Sequence, residues 1–320
     1  MDGVLGIDMA NTKFDVALVG PDGKVRRKSG ANTPAGFADL PAWLTRQAVT
    51  PVHAALEATG TYGDALAEYL YDAGHVVSVL NPAITHAFAA SQLKRAKTDR
   101  IDAALIAEYT ATQHPPAWTP APREIRELQA LVRRLDALHG MRTPEANRLA
   151  AGPLVDAVHT SITTGLGTLD AELAAVPQQI QNHFRQHPGL RAQRELLTSL
   201  PGIGDATAAG LIAELFDKPS HSARQAAAFA GVVPRVAESG TLRTRGRLVK
   251  LGPGRLRKAL SLPALTALRC NPTLPSLRAR MRAAGQPPMV IVGAAMRKLI
   301  HLAYGVLKSG RAYDPTYARP

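Results

Sequence analysis

The sequence predicts an α/β domain with a mixed sheet, followed by a helical arm and a mainly α-helical C-terminal domain. Strand-like and helix-like segments alternate over residues 1–110, prolines cluster at residues 115–122, and helical periodicity dominates the rest of the chain. Hairpin strands before strand–helix units are typical of a mixed sheet with helices on its faces. The chain has 320 residues, which is long for one domain. We expect domains at residues 1–115, 116–190 and 191–320.

The first predicted elements are strands. Residues 4–7 and 14–19 are rich in β-forming residues, and Pro21-Asp22-Gly23 is a turn signal, so we expect a hairpin. Asn32-Thr33-Pro34 is typical of a helix start. Further strands are expected at residues 53–56 and 75–80, and helices at residues 62–73, 84–91 and 101–110.

Two long helical segments come after the proline-rich segment. Leucines recur at intervals of three and four over residues 123–139, which predicts an amphipathic helix. We expect Pro144 to interrupt it, because proline removes a helical hydrogen bond, and we expect a second helix at residues 154–184. The pair is similar to a coiled-coil arm, and an ordinary packed helix pair explains the periodicity equally well.

The C-terminal domain contains the motif Leu200-Pro201-Gly202-Ile203-Gly204 between two helical segments. The motif has the form of a helix-hairpin-helix, in which Gly202 and Gly204 let the backbone approach a phosphate near the next helix. A glycine-rich turn without a ligand is the alternative. Residues 232–256 are loop-like and rich in Arg and Gly, and residues 290–307 are the last predicted helix.

Positive charge is concentrated in the C-terminal third. The chain carries a net charge of +13, and residues 221–311 contain 17 Lys or Arg against one acid, Glu238. Such a basic segment is typical of a protein that binds nucleic acid, since Lys and Arg neutralise phosphates. A surface kept basic for solubility is the alternative. The expected contact residues are Gly202, Gly204, Arg243, Arg245, Arg247, Lys250, Arg255, Arg257 and Lys258.

Other features exclude some classes of protein. The single cysteine, Cys270, rules out an intrachain disulfide and a cysteine-rich zinc site. No signal peptide is visible, and the longest strongly apolar stretch, residues 289–296, is far short of a membrane span, so we expect a cytoplasmic protein without a membrane partner.

His183 and His187 are four residues apart, but Pro188 comes next and no acid lies nearby in the sequence, so we expect surface histidines.

Four acids lie where predicted elements begin or end. Asp8 and Glu57 come after apolar strand segments, and Asp99 and Asp102 lie three residues apart on one helical face. Carboxylates that converge at a sheet edge repel each other unless cations lie among them, and Mg²⁺ or Mn²⁺ is the natural occupant. Two such ions can clamp the attacking and leaving oxygens of a phosphodiester. A helix cap and a first-turn acid explain Asp99 and Asp102 equally well.

One serine in the basic segment is a candidate nucleophile. Ser239 lies between Glu238 and Gly240, with several cations after it, and its hydroxyl can meet a phosphate there. Most serines in such glycine-flanked loops are only turn residues, so the local sequence alone favours the structural role.

Motifs along nearly the whole chain resemble those of the IS-one-ten (insertion sequence one-ten) family of transposases. The resemblance depends on their order and spacing, because each motif alone is weak. In the N-terminal part the motifs are Gly6-Ile7-Asp8-Met9-Ala10 with Lys13, Leu56-Glu57-Ala58-Thr59-Gly60-Thr61-Tyr62, Asn81-Pro82 and Lys97-Thr98-Asp99-Arg100-Ile101-Asp102-Ala103. In the C-terminal part they are Leu200-Pro201-Gly202-Ile203-Gly204, Phe229-Ala230-Gly231-Val232-Val233-Pro234-Arg235, Ser239-Gly240 and Lys250-Leu251-Gly252 with Leu256-Arg257.

The resemblance implies an RNase H-like, RuvC-type domain with a DEDD set of metal-binding carboxylates, a coiled-coil arm and a transposase domain with a serine nucleophile. It implies Mg²⁺ or Mn²⁺ and a structured bridge RNA, which guides the enzyme to target and donor DNA. It also implies composite active sites in a tetramer, where one subunit's carboxylates act with another's serine. By motif the carboxylates are Asp8, Glu57, Asp99 and Asp102, and the serine is Ser239.

Two details depart from the family pattern. Lys13 lies one position later than expected, and Val249 stands where a small hydroxyl residue is expected. Neither is one of the five proposed catalytic residues.

The sequence therefore favours a bacterial insertion-sequence transposase or recombinase, a homo-oligomer that acts on nucleoid DNA in the cytoplasm. In this hypothesis Ser239 attacks a DNA phosphorus and forms a phosphoserine link. Two alternatives stay open. One is a RuvC-like junction nuclease that activates water, and the other is a non-catalytic DNA- or RNA-binding protein.

Overall fold

A computed structural model describes residues 3–58, 60, 62–92, 99–216, 222–235, 238–239, 242–243, 247–248 and 252–317. The chain divides into two compact units, Met1–Pro120 and Ala121–Pro320. The first holds a five-stranded sheet with helices, and the second is mostly helical. An α/β part followed by a helical part is therefore confirmed, while the domain boundaries at residues 115 and 190 stay predictions.

The sheet of the first unit is mixed. Its order is β3-β2-β1-β4-β5; β2 pairs antiparallel with β1 and β3, and β4 pairs parallel with β1 and β5. The hairpin predicted at the turn Pro21-Asp22-Gly23 is confirmed, because β2 and β3 pair across it. Arg26, Arg27 and Lys28 give β3 the polar composition of an exposed edge strand. The strands are β1 (Val4–Met9), β2 (Lys13–Val19), β3 (Val25–Ala31), β4 (His53–Glu57) and β5 (Val76–Leu80).

Helices cover both faces of this sheet. They are α1 (Pro34–Arg46), α2 (Asp64–Asp72), α3 (Pro82–Ser91) and α4 (Asp99–Gln113). On one face, Ile7 and Phe14 pack in a core with apolar residues of α1 and α2. On the other face, Ala55 and Leu80 pack against Ile106 of α4. The sheet therefore presents alternate residues of each strand to two different helical layers.

The second unit begins with two long antiparallel helices, α5 (Arg123–Ala150) and α6 (Asp156–Gln186), which we call the arm. The ion pairs Arg142–Asp170 and Arg134–Glu172 link them. The expected break at Pro144 is wrong, because α5 continues through it. Pro144 is exposed, so the lost backbone hydrogen bond lies on the solvent side, while pairing with α6 supports the helix.

Shorter helices make up most of the rest of the second unit. They are α7 (Pro188–Thr198), α8 (Asp205–Leu211), α9 (Ala223–Phe229), α10 (Gly254–Cys270), α11 (Pro275–Ala283) and α12 (Pro288–Ser309). A π-helical turn, Ile212–Phe216, extends α8, and a 3-10 turn, Pro315–Tyr317, ends the described chain. Leu128 of α5, Phe184 of α6 and Leu260 of α10 lie in one continuous core.

Residues 232–256 are less loop-like than expected. Their described part contains two antiparallel pairs, one between β6 and β9 and one between β7 and β8. Helix α10 then begins inside the range, at Gly254. The four short strands are β6 (Pro234–Arg235), β7 (Glu238–Ser239), β8 (Leu242–Arg243) and β9 (Arg247–Leu248).

The helix α12 is long and apolar enough to cross a membrane by length and composition alone. Its most apolar 18-residue window has a mean hydropathy of 1.5. The apolar stretch predicted from the sequence is shorter than this window, because Arg297 and Lys298 interrupt the apolar run. Half of the window is buried, and Leu299 and Ile300 lie in the core of the second unit. These contacts are those of a core helix.

Candidate active site

Strand β1 and helix α4 approach each other closely at Gly6. A Cβ atom at this position would lie within 3.0 Å of the carbonyl oxygen of Ala103 and of the amide nitrogen and Cα of Ala107. Real side chains do not make such short contacts, so only glycine is accommodated here. The glycine of the Gly6-Ile7-Asp8 motif therefore lets α4 lie directly on the sheet, beside the first acid.

Helix α4 runs antiparallel to the parallel strands. The segment after its C-terminal end includes Pro116, whose carbonyl oxygen accepts a hydrogen bond from the hydroxyl of Ser78, the middle residue of β5, at 2.8 Å. His53, the first residue of β4, lies 2.8 Å from the same hydroxyl through Nε2. The amino end of α4, with Asp99 and Asp102, therefore lies at the carboxyl ends of β1 and β4.

Asp8 and Glu57 lie at these carboxyl ends, on the face that α4 covers. Asp8 is two residues beyond Gly6, so its side chain leaves β1 on the same face. Strand β4 is in parallel register with β1, and the pair Ile7–Leu56 makes Glu57 the neighbour of Asp8 in the next position. Both acids are half-buried.

The fold thus brings three of the predicted acids to one edge of the sheet. Asp8, Glu57 and Asp102 are half-buried there, and Asp99 is the first residue of α4. The side chain of Asp99 lies outside the described part of the chain. Carboxylate oxygens are the ligands that hard divalent cations prefer, so this set is chemically suited to Mg²⁺ or Mn²⁺. The ligand roles of these residues stay predictions.

Two polar side chains support this edge through contacts that the sequence motifs do not indicate. The hydroxyl of Thr85, a buried residue of α3, donates a hydrogen bond to Glu57 Oε1. Asn32 Nδ2 donates to the carbonyl oxygens of Ala10 at 3.2 Å and Tyr62 at 3.1 Å, and so ties the loop after β1 to the loop after β4. The sequence marks Asn32 only as part of a helix start, and no local signal marks these contacts, because the partners are distant in the sequence.

A further carboxylate lies beside the site. Asp15 on β2 is directly across from Asp8 in the antiparallel ladder, and it is buried. It accepts hydrogen bonds from the hydroxyl of Ser29 and from Lys13 Nζ, the latter at 3.0 Å. Lys13, which departs from the family pattern by one position, therefore neutralises a buried acid next to Asp8.

Ser239 lies in the second unit, on β7, where it pairs with Leu242 of β8. Arg243 is on β8 and Arg247 is on β9. In the backbone ladder, Glu238 of β7 is the neighbour of Arg243. The side chains of Ser239, Arg243 and Arg247 lie outside the described residues, and so do Arg245 and Lys250 entirely. The nucleophile and the phosphate contacts assigned to this segment stay predictions.

Three predicted cations around the start of α10 have partners within the second unit. The side chains of Arg255 and Lys258 are 55% and 65% exposed, so both keep access to solvent. The contacts are Arg257 Nη1 to the carbonyl oxygen of Gly252 at 2.5 Å, Lys258 Nζ to Asp136 Oδ1 at 2.6 Å and Arg255 Nη1 to Glu214 Oε1 at 3.8 Å.

The glycine-rich loop joins α7 to α8, as a helix-hairpin-helix requires. Gly202 has a φ of +105°, and a Cβ atom there would lie 2.6 Å from the Cβ of Ala267 on α10. Gly202 is therefore needed for the turn and for packing. Gly204 is exposed, with nothing within 4 Å of its Cβ position, so its approach to a phosphate stays a prediction.

Two family models match the chain. Residues 5–158 match DEDD_Tnp_IS110, described as "Transposase", and residues 194–279 match a model described as "Transposase IS116/IS110/IS902 family". The "Pilin gene-inverting protein" of Moraxella bovis is 30% identical over 315 residues, which are 97% of each chain. The chain belongs to the IS110 family of transposases.

Other relatives of this IS110 family transposase agree. The "Transposase for insertion sequence element IS1328" of Yersinia enterocolitica is 28% identical over 223 residues, 61% of this chain and 65% of that one. An "Insertion element IS110 uncharacterized 43.6 kDa protein" of Streptomyces coelicolor is 27% identical over 195 residues, 57% of this chain and 48% of that one. The first family model spans the four predicted acids, and the second spans the glycine-rich loop and Ser239.

Proposed function

We propose that this transposase cuts and exchanges DNA strands under the guidance of a structured bridge RNA, with Ser239 as nucleophile and a divalent metal as cofactor. The observation that carries the proposal is the position of Asp8, Glu57 and Asp102 at one sheet edge, beside the amino end of α4. The mixed sheet, with β1 between an antiparallel and a parallel neighbour, supports an RNase H-like, RuvC-type domain.

Asp8, Glu57, Asp99 and Asp102 would hold Mg²⁺ or Mn²⁺. A divalent ion bound there supplies charge stabilisation to a phosphodiester under attack. Thr85 supports this role by holding the Glu57 carboxylate in one orientation.

The Ser239 hydroxyl would attack a DNA phosphorus. The bond from serine Oγ to phosphorus forms, the bond from phosphorus to the 3′ oxygen breaks, and the serine proton leaves with the 3′-hydroxyl. Attack by a different 3′-hydroxyl reverses the step and joins new strands, so no ATP is required. The similarity to a protein named for gene inversion supports strand exchange, since inversion rejoins DNA ends.

The catalytic residues of the proposal lie in two different units of the chain. We expect the carboxylates of one subunit to act with Ser239 of another within a homo-oligomer, a dimer to a tetramer. Its partners are target DNA, donor DNA and the bridge RNA, and it acts on nucleoid DNA in the bacterial cytoplasm.

The basic segment, residues 221–311, would supply phosphate contacts to DNA or RNA. If it neutralises about six phosphates, the log of the duplex binding constant should fall against the log of salt concentration with a slope of about −5. Ala substitution of Arg243 and Arg247 should make this slope shallower. A slope near zero in the wild type would contradict the assignment.

The test of the metal site is DNA cleavage by purified protein with bridge RNA and Mg²⁺. Asp8→Asn and Asp102→Asn should lower the rate at least about 100-fold, because metal charge stabilisation is worth several kcal/mol. Asp72→Asn is the matched control, since Asp72 is exposed on α2, which packs on the opposite face of the sheet. Cleavage by Asp8→Asn at the control's rate, or cleavage that persists in EDTA, would contradict the proposal.

A further inference from the structure

Three side chains that can ligate a metal meet within the second unit, at the end of the arm where α5 begins and α6 ends. We call this end the base of the arm. Glu127 lies on α5, His183 near the end of α6, and His187 between α6 and α7. One ligand atom of each lies within 4.8 Å of the other two. The expectation of a surface histidine is therefore wrong for His183, whereas His187 is half-buried. His183 is buried, and the acid that was missing from its sequence neighbourhood comes from α5.

His183 presents its Nδ1 atom to this cluster. Its Nε2 atom lies 2.8 Å from the carbonyl oxygen of Glu124. A carbonyl oxygen only accepts hydrogen bonds, so Nε2 carries the hydrogen, and the lone pair of the neutral ring is on Nδ1. Histidines that bind metals usually donate their other ring N–H to a carboxylate or a backbone carbonyl, which fixes the ring.

The ligand atoms of His183 and Glu127 are only slightly farther apart than two ligands of one small cation. Nδ1 of His183 lies 3.8 Å from Oε2 of Glu127, which is too long for a hydrogen bond. Two ligands of tetrahedral Zn²⁺, with bonds of about 2.0–2.1 Å, are about 3.4 Å apart. The His187 ring lies beside that of His183, with centroids 4.4 Å apart.

The Glu127 carboxylate is already oriented toward the histidines. Its Oε1 atom accepts a hydrogen bond from Arg123 Nε at 2.8 Å, while Oε2 is the atom nearest His183 Nδ1. The carboxylate can therefore ligate through one oxygen and keep its ion pair through the other.

We infer that Glu127, His183 and His187 form a site for Zn²⁺ or a similar transition-metal ion, distinct from the acids of the first unit. Two imidazoles and one carboxylate are a known zinc ligand set, whereas Mg²⁺ prefers oxygen ligands. Glu127 is exposed and His187 half-buried, so water can supply a fourth ligand. The bound ion would join the start of α5 to the junction of α6 and α7 and stabilise the base of the arm.

The test is calorimetric titration of the full-length protein with zinc chloride in excess Mg²⁺, which occupies sites built from oxygen ligands. We expect one zinc site in the wild type. Glu127→Gln and His187→Ala should each raise the dissociation constant at least about 10-fold, since even loss of an outer-shell partner costs about 10–100-fold. His139→Ala removes an exposed histidine of α5 and should bind zinc like the wild type.

Thermal unfolding gives a second readout. A ligand that binds the folded state raises the melting temperature, so zinc should raise it in the wild type and in His139→Ala but not in Glu127→Gln or His187→Ala. Far-UV circular dichroism verifies that the variants fold. The inference is overturned if the wild type shows no saturable zinc site, or if Glu127→Gln and His187→Ala bind zinc as tightly as the wild type.

Discussion

The hydroxyl of Thr85 donates a hydrogen bond to the carboxylate of Glu57. Thr85 is 2% exposed and lies on α3, whereas Glu57 is the last residue of β4. A helix without acids of its own therefore fixes the orientation of an acid at the sheet edge.

Replacement of Thr85 by valine, which has a similar shape but no hydroxyl, should lower the cleavage rate at saturating DNA about 10-fold or more. A hydrogen bond to a charged group is worth about 1.5–3 kcal/mol, and 1.4 kcal/mol is about tenfold in rate. Thr85→Ser keeps the hydroxyl and should retain most of the activity. A valine variant that cleaves as fast as the wild type would show that Glu57 does not depend on this contact.

Gly6→Ala should destabilise the first unit, because the new Cβ atom would overlap the backbone of α4. Overpacking costs about 1–3 kcal/mol, and a clash with backbone atoms lies at the upper end of that range or beyond it. The measurement is the denaturant midpoint of unfolding. Gly140→Ala, where nothing lies within 4 Å of the Cβ position, is the control and should be neutral or stabilising by up to about 1 kcal/mol. An unchanged midpoint for Gly6→Ala would contradict the packing of α4 on β1.

Stability of the first unit should fall as the pH is lowered from 7 to 5. His53 and His75 are buried, and burial lowers the pKa of both below their ordinary value of 6.5, with a smaller contribution from His114 for His53. Below pH 6.5 the unfolded state then binds more protons than the folded state. The contribution of the two neutral histidines to the free energy of unfolding is therefore fully present above pH 6.5, and it is lost as the pH falls through the lowered pKa values. Urea unfolding at several pH values measures the slope of the free energy of unfolding against pH.

The double variant His53→Gln/His75→Gln should have a flatter dependence of unfolding free energy on pH in that interval. Carboxylates with a lowered pKa do not account for the slope, because a group such as Asp22, whose pKa is lowered to about 2 by Arg26, titrates at lower pH. An equal slope in the wild type and the double variant would refute the role of these histidines.

Local sequence rules located most elements of the first unit. Thr33 and Asn81 precede prolines, and both cap the next helix through hydrogen bonds from backbone amides two or three residues later. These contacts are short-range, so the sequence pattern specifies them. The polar edge strand β3 has no apolar alternation, and it exists because β2 provides its hydrogen-bonding partners.

Side-chain partners from distant elements could not be predicted in this way. The motif predicts that Gly202 allows a tight turn near a phosphate, but it does not reveal the close contact with Ala267 on α10, which also requires glycine. The acid that faces His183 comes from another helix, and so does the hydroxyl that holds Glu57. Such pairs are set by tertiary packing, which neither periodicity nor spacing encodes.

Mixing two inactive variants should restore cleavage if the active site is composite. Asp8→Asn retains the serine and Ser239→Ala retains the carboxylates, so a mixed oligomer contains some complete sites when the two parts come from different subunits. Co-expression of differently tagged variants, followed by purification through both tags, provides that oligomer. Mixed oligomers that stay inactive would mean that both parts act within one subunit.

A covalent bond between Ser239 and DNA would be detected directly by denaturing electrophoresis of labelled DNA after incubation with protein, bridge RNA and Mg²⁺. We expect a protein–DNA adduct in the wild type that is absent in Ser239→Ala, although this variant should still bind DNA and RNA because one hydroxyl adds little to contacts made by Arg and Lys. Asp8→Asn should also give no adduct. Cleaved DNA without an adduct, at an equal rate in Ser239→Ala, would mean that water is the nucleophile and that the chain is a junction nuclease. Binding without any cleavage in the wild type would instead support a non-catalytic nucleic-acid-binding protein.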